Sequence, residues 1–177
     1  MSRGWRSEIE QVSQPPFFAV KQLRVTTLDS GRKCVRHVVL HPGGAGVVAL
    51  VGDEVLCVEQ YRPAIGALSL EIPAGRRESG ETSEENAARE LLEETGYVAG
   101  QLTPLGRLHA VPCFSTWEAE LYLACDARRS TRVELENDLP LRTVRVPLDD
   151  VERLIAEGRL TDGKTIVGLL LARSALR

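Results

Sequence analysis

The sequence lacks several features that mark large classes of protein. No apolar run among its 177 residues approaches the roughly 18 residues of a membrane-spanning helix, so we expect no membrane anchor. The charges near the N-terminus are not followed by an apolar segment, so we expect no secretory signal and a cytoplasmic protein. Basic residues are not in excess, because 22 Lys and Arg stand against 25 Asp and Glu. This balance disfavours nucleic-acid binding, which usually needs a basic stripe.

Cysteine is also scarce. The four cysteines are widely spaced and include no C-x-x-C pair, which disfavours a zinc site or a disulfide framework; they are Cys34, Cys57, Cys113 and Cys125. We interpret them as free thiols in a reducing compartment. Internal repeats, low-complexity tracts and long linkers are missing as well. The composition, 43% apolar and 27% charged, is typical of one soluble globular domain.

The pattern of apolar residues predicts strands on both sides of one central helix. The polar first 16 residues predict an arm or a frayed tail. A Thr82/Glu85 capping box and the stop at Gly96 predict a helix over 83–95. Hairpins are predicted over 17–28 with 33–40 and over 46–51 with 55–60; a Gly- and Pro-rich stretch over 61–80 is followed, after the helix, by strands over 101–111, 120–125 and 141–146, then helices over 148–157 and 161–172. This order favours an α/β or α+β domain with a mixed sheet.

Three carboxylates, on Glu90, Glu93 and Glu94, share one narrow stripe of the predicted helix. Glu90 and Glu94 repel each other, and the helix C-terminus disfavours each negative charge by roughly 0.3–1 kcal/mol. These penalties, and the lack of lysine from Gly75 to Tyr97, disfavour the alternative of a solvated charged face. A bound cation would reverse them. Oxygen ligands alone select Mg²⁺ or Mn²⁺, which would let an acidic protein hold a phosphate.

The same segment resembles the Nudix box, G-x5-E-x7-R-E-U-x-E-E-x-G-U, in which U is apolar. Its nine specified positions are filled by Gly75, Glu81, Arg89, Glu90, Leu91, Glu93, Glu94, Gly96 and Tyr97. The runs EQYRP at 59–63 and LEIPAG at 70–75, with Pro112 sixteen residues after Gly96, resemble the ADP-ribose pyrophosphatase group. The resemblance implies a Nudix-type α/β/α sandwich with a mixed central sheet and an N-terminal β-hairpin extension. It also implies hydrolysis of nucleoside diphosphates linked to another moiety.

Site residues follow from the resemblance by matching position. The carbonyl of Ala74 and the carboxylates of Glu90 and Glu94 resemble metal ligands for two or three Mg²⁺ or Mn²⁺ ions. Glu81 and Glu93 would hold a further ion or water, and Arg89 would orient the glutamates. The general base would be Glu136, with Asp138 as its neighbour or a metal ligand and Glu134 in reserve; a solvated turn is the alternative reading of this loop. The implied substrate-binding residues are Arg62, Arg36, Glu71, Pro112, Phe114 and Trp117.

The expected reaction is metal-dependent cleavage of ADP-ribose to AMP and ribose 5-phosphate. Cys113 replaces the usual glycine of its loop, Trp117 is atypical, and Leu40 stands where the group usually has an acid, so GDP-mannose or another nucleotide sugar is the alternative substrate. A non-catalytic ADP-ribose-binding module is disfavoured because every box carboxylate is present. The resemblance further implies a homodimer, with residues 1–40 as an arm and strands for dimerisation and residues 41–177 as the Nudix hydrolase domain.

Overall fold

A computed structural model describes the backbone of residues 5–13 and all atoms of residues 18–131 and 141–177. The chain forms two compact units. The first comprises Met1–Gly43 with His109–Glu118, and the second comprises Gly44–Leu108 with Ala119–Arg177. Among the residues so described, no helix is long and apolar enough to span a membrane.

The first unit contains a three-stranded antiparallel sheet of β1 (Trp5–Ser13), β2 (Ala19–Thr27) and β3 (Lys33–Leu40). β2 and β3 form the predicted hairpin, whose turn is closed by Gly31 at a φ of +65°. The loop of this unit lies along β3, because Val39 N donates to Phe114 O at 2.8 Å and Thr116 N donates to Val39 O at 3.0 Å.

The predicted N-terminal arm is wrong for Trp5–Ser13. This segment is a strand whose backbone pairs with β2 from Trp5↔Thr27 to Ser13↔Val20. The segment carries little strand signal because it is polar and lacks a run of alternating apolar residues. Strand pairing joins backbone groups, however, and a polar strand is accommodated at the edge of a sheet.

The second unit is built on a mixed seven-stranded sheet. Five strands follow the order β12-β5-β4-β10-β9, while β6 pairs with β5 and β7 pairs with β4. β10 runs parallel to β4, whereas β5 and β7 run antiparallel to it. The elements are β4 (Gly44–Val51), β5 (Glu54–Arg62), β6 (Ala67–Glu71), β7 (Ala74–Arg76), α1 (Ser83–Thr95), β8 (Tyr97–Val98), β9 (Thr103–His109), β10 (Glu118–Ala124), β11 (Arg128–Arg129), β12 (Leu141–Pro147), α2 (Val151–Ala156, after a 3₁₀ turn at Leu148–Asp150) and α3 (Gly163–Ala175).

Alternate residues of the central strands pack on opposite faces of this sheet. On β4, Val48 and Leu50 join an apolar cluster with α2 and α3, whereas Val47 and Ala49 join a second cluster with α1. Both faces are therefore buried, which explains why the strands read as continuous apolar runs. The predicted α/β/α layering and mixed sheet are confirmed.

Local signals fix the bounds of α1 as predicted. Thr82 Oγ1 accepts a hydrogen bond from Glu85 N at 3.2 Å, and the Glu85 carboxylate accepts one from Thr82 N at 2.8 Å. Gly96, at a φ of +74°, ends the helix. Since α1 also packs on β4 through Ala87 and Leu91, its acidic stripe is held in one place relative to the sheet.

Candidate active site

The carboxylate of Glu90 lies directly against the backbone of β7. A Cβ atom built on Gly75 would lie 2.0 Å from Glu90 Oε1 and 2.1 Å from Glu90 Cδ, so a side chain there would displace the Glu90 carboxyl group. A Cβ on Gly44, the neighbour of this strand in β4, would in turn lie 2.2 Å from Gly75 O. Gly75, the first residue of the box motif, therefore allows the Glu90 carboxylate to lie close to the backbone of β7.

Glu94 is the second buried carboxylate of α1. Its Oε2 accepts a hydrogen bond from Ala74 N at 2.9 Å, which ties the helix to the strand that precedes it. Burial raises the pKa of Glu94 to about 7, against the hydrogen bond from Ala74, and the nearby charge of Glu90 adds to the rise. A cation beside this group would favour its charged form.

Asn86 places a polar side chain in the same buried region. Its Nδ2 donates to Arg76 O at 3.0 Å and to Glu90 Oε1 at 3.4 Å. Its Oδ1 is buried and has no hydrogen-bond partner within the part of the chain that the structure describes. Such an unpaired buried oxygen costs roughly 1–3 kcal/mol. Burial also raises the pKa of Glu90, although Arg89 opposes this, so this region holds oxygen atoms with too few positive partners.

Arg89 connects the remaining glutamates of the motif. Its Nε donates to Glu81 Oε1 at 2.8 Å, and its Nη1 lies 2.8 Å from Glu93 Oε2 and 2.9 Å from Glu90 Oε1. These bonds raise the pKa of Arg89, and the Arg89 guanidinium lowers the pKa of Glu81. Arg89 therefore holds three carboxylates in a common orientation.

A ready-made cluster of three or more Asp, Glu, His or Cys ligands is not found among residues 18–131 and 141–177. In this conformation Arg89 and Ala74 N hold the carboxylates that the sequence predicted as ligands. The donor set nevertheless fits a hard divalent cation. It consists of oxygen atoms and includes two buried carboxyl groups of raised pKa.

A second charged network joins β5, β6 and α3. Arg62 donates from Nε to Glu71 Oε1 and from Nη2 to Glu71 Oε2, both at 2.7 Å. Lys164 Nζ donates to Glu71 Oε2 as well, and to Asp162 Oδ2 at 3.0 Å. Burial works against the charge of Glu71, but its hydrogen bonds with Arg62 and Lys164 lower its pKa to about 2. Sequence reasoning missed Lys164, because one lysine in a helix that carries little other charge gives no functional signal.

Four predicted substrate-binding residues belong to the first unit. Arg36 is exposed on β3, and Pro112 and Phe114 are exposed on the loop beside that strand. Trp117 is half-buried and packs edge-to-face on His41, with 5.9 Å between ring centroids. The predicted bases of the loop, Glu134, Glu136 and Asp138, lie outside the described residues.

The family model of the NUDIX domain matches residues 40–166. The chain belongs to the Nudix family. An ADP-ribose pyrophosphatase of Bacillus subtilis is 34% identical over 140 residues, which are 78% of this chain and 76% of that protein. A methanol dehydrogenase activator of Bacillus methanolicus is 33% identical over 144 residues, or 80% and 78% of the two chains.

The same fold is seen in the crystal structure of an ADP compounds hydrolase, with a TM-score of 0.85 at 23% identity over 99% of this chain and 95% of that one. The family model and the similarity to the Bacillus subtilis protein confirm the resemblance to the ADP-ribose pyrophosphatase group, and the chain is a Nudix hydrolase. Nudix hydrolases generally use divalent cations. The box residues described above, from Gly75 to Tyr97, lie within the matched region.

Proposed function

We propose that this Nudix hydrolase cleaves the diphosphate of ADP-ribose to give AMP and ribose 5-phosphate. The observation that carries the proposal is the pair of buried carboxylates, Glu90 and Glu94, that pack against β7. The similarity to an ADP-ribose pyrophosphatase supports the choice of substrate. GDP-mannose and other nucleoside diphosphate sugars present the same diphosphate and are the nearest alternatives.

Glu90, Glu94 and the carbonyl of Ala74 would hold the metal, with Glu81 and Glu93 held ready by Arg89. When bound, two or three Mg²⁺ ions would neutralise the diphosphate and the charge that develops in the transition state. Arg89 orients Glu81, Glu90 and Glu93 through its ion pairs, so their carboxylates are already placed near one another before a cation binds. A cation also stabilises the charged form of Glu94 against its burial.

Arg62 binds the diphosphate in this proposal, since a planar guanidinium matches two phosphate oxygens. Both oxygens of Glu71 accept hydrogen bonds from within the protein, so we assign Glu71 to holding Arg62 rather than to contacting substrate. Arg36, Pro112, Phe114 and Trp117 serve the nucleoside or the terminal sugar. Arg36, Pro112 and Phe114 are exposed and Trp117 is half-buried, which leaves apolar and cationic surface for such a ligand.

Glu136 deprotonates the attacking water in this proposal, with Asp138 as its neighbour and Glu134 as the alternative base. A general base contributes roughly 10²–10⁴ in rate. Glu136→Gln should therefore lose that factor in kcat while its urea unfolding curve stays that of the wild type. Glu134→Gln is the matched comparison, and equal turnover by Glu136→Gln would remove Glu136 from the role.

The chain is also proposed to form a homodimer through residues 1–40, with residues 41–177 as the hydrolase domain. No described side chain of β2 or β3 is buried, and Leu28 and Val35 are 61% and 46% exposed. A three-stranded sheet whose apolar side chains are only partly buried gains stability when a partner covers them. A second copy of the chain supplies one.

A substrate panel tests the proposed function. ADP-ribose, GDP-mannose, ADP-glucose, NADH and dGTP are each offered with Mg²⁺ at roughly millimolar substrate concentration, the upper range of common KM values, and the products are identified. AMP should appear fastest from ADP-ribose. Faster cleavage of GDP-mannose would change the substrate and keep the chemistry. Binding of ADP-ribose without turnover of any compound would make the chain a binding module and overturn the proposal.

A further inference from the structure

Lys164 is a buried lysine that the proposed reaction does not use. It lies in the first turn of α3 with its side chain only 5% exposed, and its Nζ donates to Glu71 and Asp162. We propose that Lys164 is a positioning residue for substrate binding: it fixes Glu71, and Glu71 fixes the guanidinium of Arg62. This inference rests on the proposed function, in which Arg62 binds the diphosphate.

The exposed fractions of the three side chains show which end of the Lys164–Glu71–Arg62 network faces solvent. The side chains of Lys164 and Glu71 are 5% and 3% exposed, whereas that of Arg62 is 42% exposed. Lys164 and Glu71 are therefore the buried part of the network, and Arg62 is the only side chain of the three that solvent reaches freely. The two bonds to Glu71 use two of the five N–H donors of Arg62, on one edge of the guanidinium. This pairing leaves the remaining N–H donors of the Arg62 guanidinium for a ligand.

A single cationic partner, Arg62, would compensate the buried negative charge of Glu71 only in part. Loss of a charged partner from such a group leaves a charge with too little compensation, and the group then turns toward water or other donors. Lys164 supplies the second charge from a different element than Arg62, so Glu71 is held from two directions. The bidentate geometry at Arg62 depends on the orientation of the Glu71 carboxylate.

The position of Lys164 is itself fixed by the start of α3. Asp162 Oδ2 accepts from Thr165 N at 2.9 Å, from Thr165 Oγ1 at 2.6 Å and from Lys164 Nζ. Ile72 N, next to Glu71 in the chain, donates to Thr165 Oγ1 at 2.9 Å. The first turn of α3 and the end of β6 are therefore joined on both sides of the Lys164–Glu71 bond. A surface lysine would show no such arrangement.

The test is a double-mutant cycle on KM. Lys164→Met keeps the apolar stem and removes the charge, and it should raise KM for ADP-ribose about 10-fold or more, as loss of a supporting partner commonly does, with a much smaller change in kcat. In an Arg62→Ala background the same substitution should add less than about twofold, because the residue it positions is gone. Arg159→Met removes an exposed charge of the same unit and should leave KM unchanged. Lys164→Arg, which restores the charge, should recover part of the loss.

An unchanged KM in folded Lys164→Met, or effects that multiply in the double variant, would overturn the proposal. If Lys164→Met does not fold, Glu71→Gln gives the same test at equal side-chain size, and an unchanged KM there is equally contradictory. Proton exchange at Arg62 Nε, followed by ¹⁵N NMR and assigned by its loss in Arg62→Ala, needs neither metal nor turnover. It should quicken about 10-fold in Lys164→Met. If the wild-type protein hydrolyses none of the compounds, the proposed function is wrong. The exchange rate at Arg62 Nε still tests whether Lys164 positions Arg62.

Discussion

At the scale of single residues, Glu94 couples the candidate metal site to stability. Its ordinary pKa of 4.5 rises to about 7 in the folded chain because the group is buried. The folded state therefore binds more protons than the unfolded state between these values, so stability falls as pH rises through this range. The free energy of unfolding falls by an amount on the order of 3 kcal/mol, since one pKa unit corresponds to about 1.4 kcal/mol.

This predicts that metal-free protein in EDTA loses free energy of unfolding between pH 5 and pH 8, and that Glu94→Gln loses much less. Urea unfolding at both pH values measures the change. Glu84→Gln, at an exposed position of the same helix, should retain the wild-type slope. A slope in Glu94→Gln equal to that of the wild type would show that another group is responsible.

Gly75 is a second residue whose role can be isolated. A Cβ there would lie 2.0 Å from Glu90 Oε1, so Gly75→Ala must displace the Glu90 carboxylate or the strand. We expect a loss of roughly 1–3 kcal/mol in unfolding free energy, as overpacking commonly costs, and a weaker affinity for Mn²⁺ by titration. Gly163→Ala is the matched control, because nothing lies within 4 Å of its Cβ position. Equal Mn²⁺ affinity in Gly75→Ala and wild type would contradict this role.

At the scale of elements, α1 could be predicted to the residue and the strands around it could not. Its start and end depend on local signals, the Thr82/Glu85 capping box and Gly96, which can be read directly from the sequence. β6 and β7 lie in the Gly- and Pro-rich stretch over 61–80, where the pairing partner rather than the local pattern decides the structure. The box residues were predictable by motif, whereas Lys164 and Asn86 act through contacts distant in sequence or unique to this packing.

The capping box should support the site through the helix that carries it. Thr82→Ala removes the acceptor for Glu85 N and should lower the free energy of unfolding by about 1 kcal/mol. Urea unfolding measures this loss, with Ser174→Ala, at an exposed position near the end of α3, as the control that should change little. Equal stability of Thr82→Ala and wild type would show that tertiary packing alone fixes the start of α1.

At the scale of the whole molecule, the exposed three-stranded sheet predicts association. Sedimentation equilibrium should give twice the mass of one chain, because no described side chain of β2 or β3 is more than partly buried. Leu23→Glu, at the centre of β2, should shift the equilibrium toward monomer. Active protein that sediments as a monomer at all concentrations would end the dimer proposal.

AMP release from ADP-ribose by wild type and Glu94→Gln across a Mg²⁺ titration tests directly whether the buried carboxylates of α1 hold the metal. The wild type should release AMP only in the presence of the metal. Glu94→Gln should fold normally and release AMP at least about 100-fold more slowly, as loss of one charge-stabilising group in an active site commonly does. Equal rates for the two proteins, or release by the wild type that is indifferent to Mg²⁺ and EDTA, would contradict the central claim that the buried carboxylates of α1 hold the metal for diphosphate hydrolysis.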